Sequence, residues 1–404
     1  MRKKRVEIEL EEAIALLKNF PPIPGREILP LALAHGRVLA EDQTAEIDQP
    51  PFDRSPLDGY ALRAADTLGT SPQTPLSFAV VDRLCAGDVP SGSVGAGQAV
   101  RLMTGAMLPP GSDAVIKQEE TDLGASKVRI YRPLSPHENV CFRGEDFKAG
   151  SLLLGAGTKL DAPALGALAS AGVMQVPVRP CPRVALLVTG NELWEPVWGQ
   201  VLPPGKIYSS NLTLLSARLG ELGYAPVRAL ETGDDPQTAA GLIREILEGV
   251  DVLLTTGGVS VGDNDLFHEV IPLLGAERVF HGVKLKPGTP AMLSRFLGKP
   301  ILSLSGNPFA AAATFELLAR PLLFALSGDA SLCSTRVVAT LAQSYEKKSP
   351  VRRFVRGRVE NGEVTLPEGH SSGQLRSLVG CNCLVEIPPD VEARQGDLLT
   401  VYLI

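Results

Sequence analysis

Between residues 184 and 327 short apolar runs alternate with helical segments, and this alternation constrains the chain more than any other feature. "VALLVT" at 184–189, "YAPVRAL" at 224–230, "DVLLTT" at 251–256 and "PILSLS" at 300–305 read as strands. Between and after them, "SSNLTLLSARLGELG", "DDPQTAAGLIREIL", "NDLFHEVIPLL" and "NPFAAAATFELLARPLL" carry helical spacing. Asp235 followed by Pro236 reads as a helix start, and Gly223 as a helix stop. Strands that are apolar throughout, not alternately, belong to a mostly parallel, doubly wound sheet covered on both faces. Ligands of such sheets sit at the carboxyl ends of the strands.

The loops at those ends are "VTGNEL" (188–193), "TTGGVSVGDNDL" (255–266) and "SLSGNPFA" (303–310). Backbone N–H groups of glycine-rich loops at helix N-termini bind phosphate-like anions. Any one loop is better explained as a tight turn needing positive φ; three after strand ends in one domain favour an anion cradle. Neither GxxxxGK[ST] nor a dinucleotide GxGxxG opens a first βα turn, so P-loop phosphoryl transfer and hydride transfer lose support. Glu192, Asp234, Asp235, Asp263 and Asp265 lie on or near the same loops. Carboxylates beside a phosphate cradle would repel the ligand unless a cation such as Mg²⁺ mediates, and Mg²⁺ binds through one or two carboxylates plus phosphate oxygens. Asp235 and Asp263 are also natural helix caps. Lys284 and Lys286 in "HGVKLKPGTP" are two apart, so in a strand they share a face that could hold an oxyanion or line a solvated edge. Arg352, Arg356 and Arg358 share another face, for which an exposed polar face is the preferred reading.

The flanking sequence has a different texture. Residues 1–46 with 147–180 are expected to form a helical and linker domain: apolar residues fall at helical spacing over 6–18, the Ala/Leu-rich 28–42 stretch continues that element, and Asp161 caps a helix. Residues 47–146, rich in Pro, Gly and Ser with short Val/Ile/Leu bursts, predict an inserted β domain. Residues 181–327 are the α/β domain, and 328–404 predict a small C-terminal β-barrel-like domain, with an Asn-Gly hairpin signal at 361–362. With 404 residues, several domains are expected. A net charge of −6 argues against a nucleic-acid protein. The start "MRKKR" is followed by an acidic amphipathic stretch, not a signal core. No uninterrupted apolar stretch reads as a bilayer span, so no membrane partner and a cytoplasmic location are expected. The six cysteines form no CxxC pair and predict reduced thiols, not a zinc site. The five histidines are isolated and carry no assigned role.

Eight strings occur in one order along nearly the whole chain: "FDRSPLDGYAL", "RLMTGAMLPPGSDAVIKQEET", "RGEDFKAG", "VTGNEL", "IYSSN", "TTGGVSVGDNDL", "KPGTP" and "SGNP". In this the sequence resembles the molybdopterin molybdenumtransferase family, the MoeA type to which the gephyrin E domain belongs. The resemblance implies a four-domain homodimer whose clefts are shared between subunits. It implies insertion of molybdenum from molybdate into adenylylated molybdopterin with release of AMP, with Mg²⁺ required. It also implies contact with the molybdopterin-adenylylating enzyme and with apo-molybdoenzymes. Carried onto this chain, the catalytic set is Glu192, Asp265, Asp58 and Asp146, with Glu192 and Asp265 on the metal. The set around pterin and nucleotide is Thr104, Gly190, Asp234, Gly257, Gly258, Ser260, Gly262, Pro287, Gly288, Asn307 and Pro308. Lys286, Arg356 and Ser377 fall on the molybdate side, with Lys284 there in place of a basic residue missing at Gly282. The chain departs from the family pattern at Asn191, where an aspartate is common, and at Thr289 and Ser305. Rival readings are a tungsten-inserting paralogue, a CinA-like nucleotide pyrophosphatase, and a scaffold protein that kept the fold; no long linker or extra module supports the last.

Overall fold

The computed structural model describes residues 7–259 and 266–404. Ser260, Gly262, Asp263 and Asp265 therefore lie outside the described residues. At the centre is the sheet that the apolar runs predict. Its strands are β1 (Val184–Thr189), β2 (Arg228–Thr232), β3 (Val252–Thr256), β4 (Glu277–His281), β5 (Met292–Phe296) and β6 (Lys299–Leu304), in the spatial order β2-β1-β3-β6-β5-β4. The first four of that order are parallel to one another, and β5 and β4 continue antiparallel. Every residue of β1 is buried. Val184, Leu186 and Val188 enter one core, while Ala185 and Leu187 enter the core on the opposite face. Two covered faces explain why the run is apolar without alternation.

Helices α1 (Ser210–Glu221), α2 (Pro236–Gly249), α3 (Leu266–Leu274), α4 (Pro308–Thr314) and α5 (Arg320–Ser327) supply the covers. The α2 and α3 side closes one core; α1 and the continuous helix 308–327 close the other. The Asp235 carboxylate accepts from Thr238 N at 2.7 Å, with Pro236 opening α2. Gly223 takes φ 88° just past the end of α1. The Pro308–Ser327 helix is long and apolar enough to cross a bilayer by length and composition, although Glu316 and Arg320 interrupt its apolar run. Buried residues make up 78% of its apolar 18-residue window, as in the core helix of a globular domain.

The N-terminal region is not the helical domain expected. Its helix Leu10–Lys18 buries Leu10, Ala13 and Leu17 in the α/β core and packs on α5. The 28–42 stretch does not continue it. Glu27–Pro30 is a strand paired antiparallel with Gln175–Val178, followed by one 3₁₀ turn, Leu31–Leu33. Pro30 ends the strand and Gly36 turns the chain at φ 76°, so helical spacing there is overridden by strand pairing and by two helix breakers. Ala162–Ser170 is a helix capped by Asp161, whose carboxylate accepts from Ala164 N at 2.9 Å.

The insertion carries a five-stranded sheet built from Gly59–Leu62, Leu76–Leu84, Gln98–Leu102, Ala114–Lys117 and Lys127–Ile130. Five C-terminal strands form a sheet closed on itself by pairing of Arg352–Glu360 with Cys383–Ile387, and Leu285–Lys286 of the α/β region adds a sixth strand parallel to Arg352–Glu360. The hairpin turn places Asn361 at φ 51° and Gly362 at φ 81°, the left-handed pair that the Asn-Gly signal requires.

Candidate active site

The strand order reverses direction between β1 and β3, so the helices that follow these two strands lie on opposite faces of the sheet and a crevice opens at the strand ends. The approach of the two loops there is governed by glycine. Gly257 has φ 87°, and a Cβ there would lie 2.2 Å from the Thr189 carbonyl oxygen. A Cβ on Gly306 would lie 3.3 Å from the Gly257 Cα, so the loop after β6 joins the same cluster. Asn211, in the first turn of α1, fastens the two. Its Nδ2 donates to Gly306 O at 2.8 Å and to Thr256 Oγ1 at 3.2 Å. On the other side, Asn191 N donates to the Asp234 carboxylate at 2.9 Å, and Asp234 N donates to Asn191 Oδ1 at 3.0 Å. The amide at 191 thus has a structural partner on the loop after β2.

These loops form one wall of a cleft of about 840 Å³, large enough for a nucleotide-sized ligand. A second wall is the turn Lys286–Pro290, where Gly288 at φ 102° would set a Cβ 2.2 Å from the Thr314 methyl group. The third wall comes from the C-terminal barrel: Tyr345, Lys347, Arg353, His370, Ser371 and Ser372. The cleft is electrically two-sided, with Glu192 and Asp234 on the glycine-loop wall and Lys286, Lys347 and Arg353 on the others. Thr189 Oγ1, Ser209 Oγ and Asn211 Oδ1 are buried at its edge with no hydrogen-bond partner among the described residues.

Of the residues expected at the site, Gly190, Glu192, Asp234, Gly257, Gly258, Lys286, Pro287, Gly288, Asn307 and Pro308 line this one cleft. Others do not. Lys284 pairs with Glu9 at 2.7 Å, a hydrogen bond that raises its pKa. The strand there covers only Leu285–Lys286, so Lys284 lies outside it, with its backbone N–H donating to Ile8 O, and the two side chains meet different neighbours. Arg356 is fully buried, correcting the exposed-face reading for it. Its guanidinium stacks 3.7 Å from the centre of the Phe309 ring and donates to the Gln374 and Ser371 carbonyls. It supports the turn below the cleft. Ser377 lies in the 3₁₀ turn Arg376–Leu378, away from the cleft lining. Asp58 and Thr104 belong to the inserted β region. Thr104 N and Oγ1 donate to the Asp58 carboxylate at 2.7 and 2.8 Å, bonds that lower its pKa. Asp146 is exposed, and its N–H donates to Gln49 O. Within one chain none of these three lines the cleft.

Among the described residues, no group of three His, Cys, Asp or Glu side chains is placed to enclose a metal ion. The available oxygens of Glu192 and Asp234 fit a different design: a hard divalent cation taking one or two carboxylates and completing its shell from phosphate and water. Sequence reasoning missed Asn211, Tyr345, Lys347, Arg353 and His370. The quoted "SSN" was a signal for Asn211; no local pattern marked the barrel residues, because only the tertiary fold brings them to the loops.

The chain matches three family profiles in succession. They are "MoeA N-terminal region (domain I and II)" over residues 8–172, "Probable molybdopterin binding domain" over 185–325, and "MoeA C-terminal region (domain IV)" over 338–404. It is 35% identical over 390 residues to a molybdopterin molybdenumtransferase of Staphylococcus aureus (strain COL), covering 96% of this chain and 93% of that one. It is also 35% identical over 396 residues to that of Bacillus subtilis (strain 168), covering 96% and 92%. The crystal structure of a molybdopterin biosynthesis moeA protein from Pyrococcus horikoshii OT3 superposes with a TM-score of 0.84 at 31% identity, covering 99% of this chain and all of that one. Matches through the inserted and C-terminal regions disfavour the CinA-like alternative. The sequence strings, the cleft at the strand ends and these near full-length similarities agree: the chain belongs to the molybdopterin molybdenumtransferase family of molybdenum cofactor biosynthesis.

Proposed function

We propose that the cleft binds adenylylated molybdopterin and molybdate, places molybdenum on the pterin and releases AMP. One observation carries this reading: a single cleft joins three glycine-linked loops and two carboxylates on one wall to an array of cations on the others. The loops would cradle the phosphates through backbone N–H groups. The cations would collect molybdate, a tetrahedral dianion. Glu192 and Asp265 would hold Mg²⁺, which when bound would neutralise charge on the phosphoanhydride oxygens. Asn211 keeps the β3 and β6 loops at fixed separation, so the cradle is formed before the ligand arrives.

Asp58, Thr104 and Asp146 enter this reading through a homodimer, in which the inserted β region of one subunit faces the cleft of the other. A cytoplasmic location, delivery of substrate by the molybdopterin-adenylylating enzyme and transfer of product to apo-molybdoenzymes accompany it. The test is direct: purified protein, adenylylated molybdopterin, Mg²⁺ and molybdate release AMP and activate an apo-molybdoenzyme. Retention of full activity in both Glu192→Ala and Asp265→Ala would refute the catalytic assignment. Tungstate in place of molybdate separates the tungsten-inserting alternative.

A further inference from the structure

The barrel stretch 347–358 carries six cations, and their pairing divides by position. Lys348 pairs with Glu392, Arg352 with Glu11 and Glu386, and Arg358 with Glu360. Lys347 and Arg353, which line the cleft, have no carboxylate partner among the described residues, and neither does Arg356 beneath them. Arg353 makes one long hydrogen bond, from Nη2 to Lys348 O at 3.4 Å; its Nε is buried without a partner among the described residues. Tyr345 supports it, with the guanidinium 5.9 Å from the ring centre. His370 stands edge-on to the same ring at 5.2 Å, and its Nδ1 is likewise buried and unpartnered among the described residues. Arg356 fixes the turn after His370 through the Ser371 and Gln374 carbonyls, so the histidine is held on a braced loop.

Positive charges gathered on one concave wall without local counter-ions repel one another unless an anion joins them. We propose that Lys347, Arg353 and His370 form an oxyanion subsite on the barrel wall, shaped for a tetrahedral dianion. These residues are distinct from the Lys284, Lys286, Arg356 and Ser377 set that the family resemblance implies. The inference rests on the functional reading above, which supplies two sources of such a dianion: free molybdate and the phosphate of the nucleotide. Arg353 offers Nε and one Nη, Lys347 a mobile ammonium, and His370 a ring nitrogen that serves as donor in the matching tautomer.

The test is calorimetric titration of the full-length protein with molybdate, inorganic phosphate and AMP at fixed ionic strength, without pterin. The variants are Arg353→Met, Lys347→Met and His370→Asn, with Lys348→Met and Arg358→Met as charge-matched controls. Removal of each charge-assisted contact should weaken the bound dianion about tenfold or more, while the controls stay within about twofold of the parent. Selective loss of molybdate identifies the free oxyanion; selective loss of AMP identifies the nucleotide phosphate; either supports the subsite. Unchanged affinity for all three ligands in a folded Lys347→Met/Arg353→Met double variant overturns it, as does an equal loss in the controls. Anion binding that depends on these residues in a protein that releases no AMP would leave the subsite standing and remove the functional reading instead.

Discussion

The close approach at Gly257 yields the most exacting prediction. Gly257→Ala adds one methyl group to a residue at φ 87°, at a point 2.2 Å from the Thr189 carbonyl oxygen. The left-handed backbone alone costs an L-residue about 1–2 kcal/mol. Forcing a methyl group into a filled contact adds about 1–3 kcal/mol, because the neighbour here is backbone and cannot rotate away. Gly223→Ala isolates the first contribution: its φ is 88°, and nothing lies within 4 Å of the added Cβ. Urea unfolding should therefore give a loss of about 1–2 kcal/mol for Gly223→Ala and about 2–5 kcal/mol for Gly257→Ala. In native buffer Gly257→Ala should also lose AMP release, since the loop can only relieve the contact by moving off β1. Equal destabilisation of the two variants, or full activity in Gly257→Ala, would refute the argument that the β1 and β3 loops touch here.

Other outcomes follow from the same geometry. Asn211→Ala removes the bonds from α1 to Thr256 and to Gly306 and should lower stability by about 1–3 kcal/mol, with a larger effect on KM than on kcat in the AMP-release assay. Glu192→Gln keeps shape and removes charge; AMP release should fall roughly 100-fold, equivalent to about 3 kcal/mol of barrier, without a change in melting temperature. Mixed dimers of Asp58→Ala and Glu192→Ala subunits should regain activity that neither homodimer has, as one cleft then receives two intact halves; no recovery would refute the shared cleft. Asp329 is buried, which raises its pKa, but hydrogen bonds from Lys159 and Ser331 and the Lys159 charge outweigh that and leave it lowered. Its contribution to stability is complete above the ordinary carboxylate range and is lost as pH falls through the lowered folded value. Lys159→Met removes two of the causes that lower the folded value, so stability at neutral pH should drop and the further loss on acidification should shrink, read from urea midpoints between roughly pH 3 and 7.

The central sheet was legible because burial on both faces writes a local signature, as in the unbroken 184–189 run. Caps at Asp161 and Asp235 were legible for the same reason: each acts within three residues of itself. The antiparallel strands β4 and β5 were not anticipated. The β5–β6 turn uses Leu297 at φ 50° before Gly298, and leucine gives no turn signal. The 28–42 stretch misled because its partner, Gln175–Val178, lies far along the chain. At the cleft, the loops after strands could be read from glycine spacing. The barrel wall could not, since Arg353 and His370 reach the glycine loops only after the barrel closes. Arg356 shows the limit most plainly: one residue in an alternating basic strand, indistinguishable in sequence from its exposed neighbour Arg358, yet fully buried.

The helix Leu10–Lys18 docks on α5, and that helix begins only at Arg320. On a ribosome adding about 5–20 residues per second, the two meet on the order of tens of seconds apart. Until then Leu10, Ala13 and Leu17 form an unshielded stripe on the nascent polypeptide. The α/β unit accordingly cannot be excised as a contiguous piece without baring a greasy seam. A fragment starting near residue 181 should clump unless a peptide covering 7–20 is supplied in trans, and a segment made long before its partner acts as the last stone set in the arch.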